Sequence, residues 1–134
     1  MVSRVLVVQA REALAHATGR HLAAAGFEPT LAADGDDAVR QLVVDPPAVC
    51  VLDLTLAVLD GWYVLAAFGA RPHRPQLVVY CRPGDAARAL ALGADACVSD
   101  RSAVVNAVRR ICSPGGNQEI TRTVGCGASK EGAS

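Results

Sequence analysis

The sequence predicts an α/β domain in which five parallel strands alternate with five helices, a (βα)5 arrangement. Short apolar runs without polar alternation recur at roughly 20 to 25 residues, as expected of strands buried on both faces. Between them lie Ala-rich stretches whose apolar residues repeat at helical spacing. Gly, Pro and Asp-Gly punctuate the junctions.

The first strand falls over residues 5–8, before a helix near 11–25 that Gly26 terminates. A less apolar strand covers 28–32, and Asp34-Gly35 turns the chain into a helix near 36–44 that Pro46-Pro47 stops. Residues 49–53 form the third strand, followed by a helix near 60–70. A fourth strand over 77–81 leads to a helix near 84–92 that ends at Gly93. The fifth strand spans 96–98 and the last helix lies near 102–112. Beyond Cys112 the run Ser113-Pro114-Gly115-Gly116-Asn117 breaks the pattern, and the rest is rich in Gly, Ser and Thr. Residues 1–112 are therefore expected to form the domain and 113–134 a flexible tail, with no further folded domain after it.

A chain of 134 residues supplies one domain, and 13 basic against 13 acidic side chains leave no net charge. Without a basic stripe there is no footprint for a nucleic-acid backbone or an anionic membrane, so neither is an expected partner. The apolar run at the N-terminus is too short for a signal peptide, and no stretch approaches the roughly 20 apolar residues that span a bilayer. A cytoplasmic protein is expected. Five cysteines form no C-x-x-C pair and read as reduced thiols, buried apart from Cys126. His16, His21 and His73 lack metal-ligand spacing and are expected to face solvent.

In an open parallel sheet, chemistry gathers at the carboxyl ends of the strands. Those ends carry Gln9 and Ala10, Asp53, Tyr80 with Cys81 and Arg82, and Ser99 to Arg101. The segment Val51-Leu52-Asp53-Leu54, followed by Leu59-Asp60-Gly61, closely resembles the phosphoacceptor strand and loop of bacterial response-regulator receiver domains. Arg4-Val5-Leu6-Val7-Val8 is similar to that family's first strand. Ala32-Ala33-Asp34-Gly35-Asp36-Asp37-Ala38 resembles its second turn and helix, and Gly93-Ala94-Asp95-Ala96 the approach to its fifth strand. The resemblance covers residues 4 to about 112 and implies a flavodoxin-like doubly wound sheet of strand order 2-1-3-4-5.

The resemblance also implies a site, most of whose parts differ here. Receivers of this kind use an Asp nucleophile, an acidic pair that holds Mg2+, a Thr or Ser hydroxyl, and a Lys on the phosphoryl oxygens, because cations stabilise the transferring group. Asp53 stands at the phosphoacceptor position. Gln9 and Ala10 replace the acidic pair, so a Mg2+ site is expected to be lost or weak. Tyr80 takes the hydroxyl position, where it would crowd a phosphoryl group, and Cys81 follows it. Asp100-Arg101 replaces the Lys-Pro pair. The only Lys is Lys130, so no other alignment of the folded region restores the missing cation.

The pocket is accordingly expected to hold Asp53 and Asp100, with Gln9, Ala10, Thr55, Tyr80 and Cys81 around them. A rearranged metal site on Asp53, Asp100 and the Thr55 carbonyl is one alternative. Arg11, Arg82 and Arg101 flank these loops, and one of them is expected to act as a permanent counter-ion to a carboxylate. No nucleophile–base pair, phosphate-binding Gly-rich loop or metal triad is visible, so an enzyme is not expected.

What remains is binding. From Gly61 to Ala70 there is no charged residue in a chain only 19% charged. With Val64, Leu65 and Phe68 facing the core, Tyr63, Ala66, Ala67 and Ala70 form a second apolar stripe. By resemblance, the fourth helix, fifth strand and fifth helix supply a partner or homodimer face of Ala87, Leu90, Ala91, Val98, Val105 and Arg109. The aromatic switch position of relatives is Cys97. The sequence thus reads as a stand-alone, atypical receiver that binds a kinase, a regulator or another receiver without depending on phosphorylation. Sensing of a small molecule in the remodelled pocket and a still-phosphorylatable Asp53 are the alternatives.

Overall fold

Strands that are apolar on both faces need a helical layer on each side of the sheet, and the chain supplies both. The structure, a computed structural model, describes residues 3–9, 11–32, 34–55 and 60–112. Its elements are β1 (Arg4–Val8), α1 (Glu12–Ala24), β2 (Glu28–Ala32), α2 (Gly35–Val44), β3 (Val49–Asp53), α3 (Asp60–Phe68), β4 (Gln76–Tyr80), α4 (Ala86–Ala91), β5 (Ala96–Val98) and α5 (Ala103–Cys112). A single 3-10 turn, Pro83–Asp85, leads into α4. All strand pairs are parallel, in the order β2-β1-β3-β4-β5, which is the order implied by the resemblance. The expected tail, 113–134, lies outside the described residues, as do Cys126 and Lys130.

Strand side chains alternate between two cores. On one side Leu6, Cys50, Leu52, Leu77 and Val79 pack against Leu42 of α2, Val64, Leu65 and Phe68 of α3, and Ala89 of α4. On the other Val5, Val7, Val49, Val51 and Val78 pack against Leu22 of α1 and Val104, Val108 and Ile111 of α5. The cysteines behave as small apolar residues: Cys50, Cys81 and Cys97 are buried, and Cys112 is half-buried. Burial pushes the Cys50 thiol far above its ordinary range. His16, His21 and His73 are exposed.

Two helix ends differ from expectation by two residues. Helix α3 stops at Phe68 because the chain must pass Gly69 tightly against α4; a Cβ on Gly69 would collide with the Leu92 carbonyl oxygen. Helix α4 begins only at Ala86, since Pro83 first closes the tighter turn. Gly93 then leaves α4 at φ +115°, a left-handed conformation suited to Gly, so that Ala94 N–H reaches back to the Ala89 carbonyl.

Arg74 ties these ends together. Its guanidinium donates to the carbonyls of Gly69 (3.1 Å), Pro75 (3.0 Å) and Gly93 (2.7 Å) and to the Asp95 carboxylate (2.7 Å). The same Asp95 oxygen accepts Leu77 N–H at 2.8 Å, fixing the start of β4 beside the approach to β5.

Candidate functional site

Parallel pairing brings the last residues of β1, β3 and β4 to one edge, with Val8 beside Leu52 and Asp53 beside Tyr80. The side chains of Gln9 and Asp53 project there toward α1, and both are buried, at 6% and 5% exposure. Gln9 Nε2 donates to Asp53 Oδ2 at 3.0 Å. Thr55 donates to the other oxygen, Oδ1, from its backbone N–H (2.8 Å) and its hydroxyl (2.6 Å). Behind Gln9, Thr18 of α1 donates from Oγ1 to Gln9 Oε1 at 2.8 Å.

This network fixes the sense of the Gln9 amide. With Oε1 accepting from Thr18, the NH2 end faces the carboxylate; turning the amide over would set oxygen against oxygen at Asp53. Both oxygens of Asp53 therefore accept bonds from neutral donors of the chain itself. Thr18 was missed by sequence reasoning. Its signal was a polar residue on the buried stripe of α1, among Ala15, Gly19 and Leu22.

The donors around Asp53 differ from the ligands a divalent cation takes. Hard cations take oxygen ligands, whereas Gln9 turns N–H groups toward Asp53 and the Thr55 hydroxyl already binds Oδ1. Among the described residues no group of three or more His, Cys, Asp and Glu is placed to hold a metal. Ala10 lies outside the described residues.

The structure does not assemble the expected pocket of two carboxylates. Asp100 is exposed, and its Oδ1 accepts the backbone N–H and hydroxyl of Ser102, both at 3.0 Å, at the start of α5. These bonds, the backbone one foremost, hold its carboxyl below the usual carboxylate range. Asp100 thus shapes a surface turn. Cys81 points into the core beneath α4, and Tyr80 packs on the α5 side, so they lie on opposite faces of the sheet.

The counter-ion expectation is also corrected. Among the described residues, no hydrogen bond or ion pair joins Arg11, Arg82 or Arg101 to Asp53 or Asp100. All three arginines are exposed, and the Arg101 guanidinium lies over the Tyr80 ring, 5.2 Å from its centroid. An aromatic face takes a cation without desolvating it, which burial beside Asp53 would require.

Of the expected binding stripe, Tyr63, Ala66 and Ala70 are exposed and Ala67 is half-buried, while Val64, Leu65 and Phe68 face the core. On the other face Ala87, Leu90, Ala91 and Arg109 are exposed and Val105 is half-buried. Val98 is withdrawn from it: at 2% exposure it packs under α5, because even an edge strand is covered on both faces here.

No family model matches the chain. The transcriptional regulatory protein PrrA of Mycobacterium bovis and of Mycobacterium tuberculosis is 36% identical over 95 residues, covering 69% of this chain and 41% of PrrA. The chain therefore spans about two-fifths of the length of these curated relatives. Among solved structures, a response-regulator receiver domain of Bermanella marisrubri superposes with a TM-score of 0.71 and 27% identity, over 81% of this chain and 97% of its own. The receiver domain of Francisella response regulator 1452 gives 0.71 at 18% identity, over 80% and 93%. The receiver domain of a Syntrophus aciditrophicus histidine kinase gives 0.71 at 21%, over 84% and 91%. Among the described residues no helix is long and apolar enough to cross a membrane. With strand order 2-1-3-4-5 and Asp53 ending the central strand, the chain has the fold of response-regulator receiver domains.

Proposed function

We propose that this protein is a receiver module of two-component signal transduction that acts by binding a protein partner, with Asp53 held in one state and not phosphorylated. One observation carries the reading: both Asp53 oxygens are engaged by the chain's own neutral donors, Gln9 and Thr55. A carboxylate that attacks a phosphoryl group needs a free oxygen and cations to take up the charge of the transferring group. Here an incoming group would have to displace the Gln9 amide and, among the described residues, gain no Lys or Arg in exchange. Receiver-type signalling is supported by the fold, by the 27% identical receiver from Bermanella marisrubri and by the match to PrrA.

The test is intact-mass spectrometry after incubation with Mg2+ and a small acyl phosphate. The expected result is no phosphoryl adduct under conditions that fully load an ordinary receiver run in parallel. An adduct that Asp53→Asn abolishes would overturn the reading.

A further inference from the structure

We propose that the groove between α3 and α4 is a docking site for an acidic amphipathic helix of a partner protein. This goes beyond the reading of Asp53 and does not depend on it.

Both helices return the chain along the same face of the sheet, so they run side by side. They touch where Gly69 meets the backbone of Leu92 and Gly93, an approach that only Gly at both positions allows. Beside this contact a groove of about 490 Å³ opens, lined by Trp62, Tyr63, Ala66, Arg88 and Leu92. Its walls are apolar apart from Arg88, and Tyr63 is 49% exposed. On α3 the exposed row Tyr63, Ala66, Ala70 follows the i, i+3, i+7 spacing of one helix face, and its two alanines leave room for another helix to approach closely.

Charge selects the partner. The Arg88 guanidinium lies over the Trp62 ring, 4.5 Å from the centroid, and has no carboxylate partner among the described residues. At the far end of α3, Arg71 stacks in the same way over Phe68 at 4.3 Å, again with no carboxylate partner among those residues. Gly61 to Ala70 carry no charge at all. Stacking presents each guanidinium with its N–H edges free to bind oxygen. An apolar strip bounded by Arg88 of α4 and by Arg71 just beyond α3 complements a helix whose apolar face is bordered by Glu or Asp.

Trp62 is the protein's single Trp and reports on this groove alone. The probe is a synthetic helical peptide with Leu and Ala on one face, Glu along its border and an N-terminal fluorophore; matched peptides carry Gln or Lys for Glu. Anisotropy and Trp62 emission are followed together. The Glu peptide is expected to give a saturable signal, and the Lys peptide to bind at least about tenfold more weakly. Arg88→Ala and Ala66→Glu, both at exposed positions, should each weaken the Glu peptide about tenfold with the melting temperature unchanged. The proposal is overturned if the Glu peptide gives no saturable signal, if the Lys peptide binds as well, or if both variants bind as the parent does. None of these results bears on Asp53, whose phosphorylation is read separately by mass.

Discussion

Removing Thr18 and Gln9 singly and together measures whether the buried network holds Asp53 as described. Thr18→Val keeps the shape of the side chain and deletes the hydroxyl that donates to Gln9 Oε1 at 2.8 Å. Thr18 is 6% exposed and Gln9 equally so, so the orphaned amide oxygen finds little water, and the expected cost is roughly 1–3 kcal/mol. Gln9→Leu deletes the 3.0 Å bond to a carboxylate oxygen and strands the Thr18 hydroxyl. A bond to a charged acceptor sets its cost at about 1.5–3 kcal/mol, partly offset by the added apolar surface. In the double variant neither the orphaned amide oxygen nor the stranded hydroxyl exists. The two changes should therefore cost less together than their sum, by roughly 1 kcal/mol. Urea denaturation of the four proteins, with equal m-values, reads the cycle. Additive costs, or single variants within about 0.5 kcal/mol of the parent, would refute the network.

Three further outcomes follow from the geometry. Arg74→Leu leaves the half-buried Asp95 carboxylate with only the Leu77 N–H and removes the donor of two helix-end carbonyls, and should cost about 3 kcal/mol in urea denaturation; Arg74→Lys should restore less than half, since an ammonium cannot span four acceptors. Gly69→Ala must force α3 away from the Leu92 carbonyl and should lower stability by roughly 1–3 kcal/mol, whereas the same change at Gly84, where nothing lies within 4 Å of the added Cβ, should be nearly silent. The Asp100 carboxyl, followed by NMR, should titrate below the usual carboxylate range, and Ser102→Ala, which keeps the backbone bond, should move it only part of the way back up. Its folded-state value is lowered, so its contribution to stability is present above the unfolded value and is lost as pH falls through the folded one.

The elements were legible because each obeys a local rule. Unbroken apolar runs gave β1 and β3, Pro46-Pro47 and Gly93 stopped α2 and α4, and the spacing of Val64, Leu65 and Phe68 named the core face of α3. Local rules do not say where a long side chain ends. Asp100 lies two residues beyond the fifth strand's end, near enough in sequence to suggest a pocket, yet Ser102 two residues on captures it first. Arg101 stands next to it and turns to Tyr80. Thr18 and Gln9 are separated by a helix start and a turn, and only the docking of α1 on the sheet makes them neighbours. Val98 was placed on the partner face by resemblance alone; its inward direction follows from the alternation that puts Cys97 under α4.

A diffusible ion reaches a carboxylate at a rate and occupancy set by its concentration, and a chelator can take it away. The Gln9 amide is a ligand of another kind, because the chain carries it and its supply at Asp53 is constant for as long as β1 and α1 stay docked. To free Asp53 Oδ2, the Gln9 amide must turn away and give up its bond to Thr18, so the cost depends on where α1 holds that hydroxyl. The carboxylate's state is thereby tied to the position of a helix.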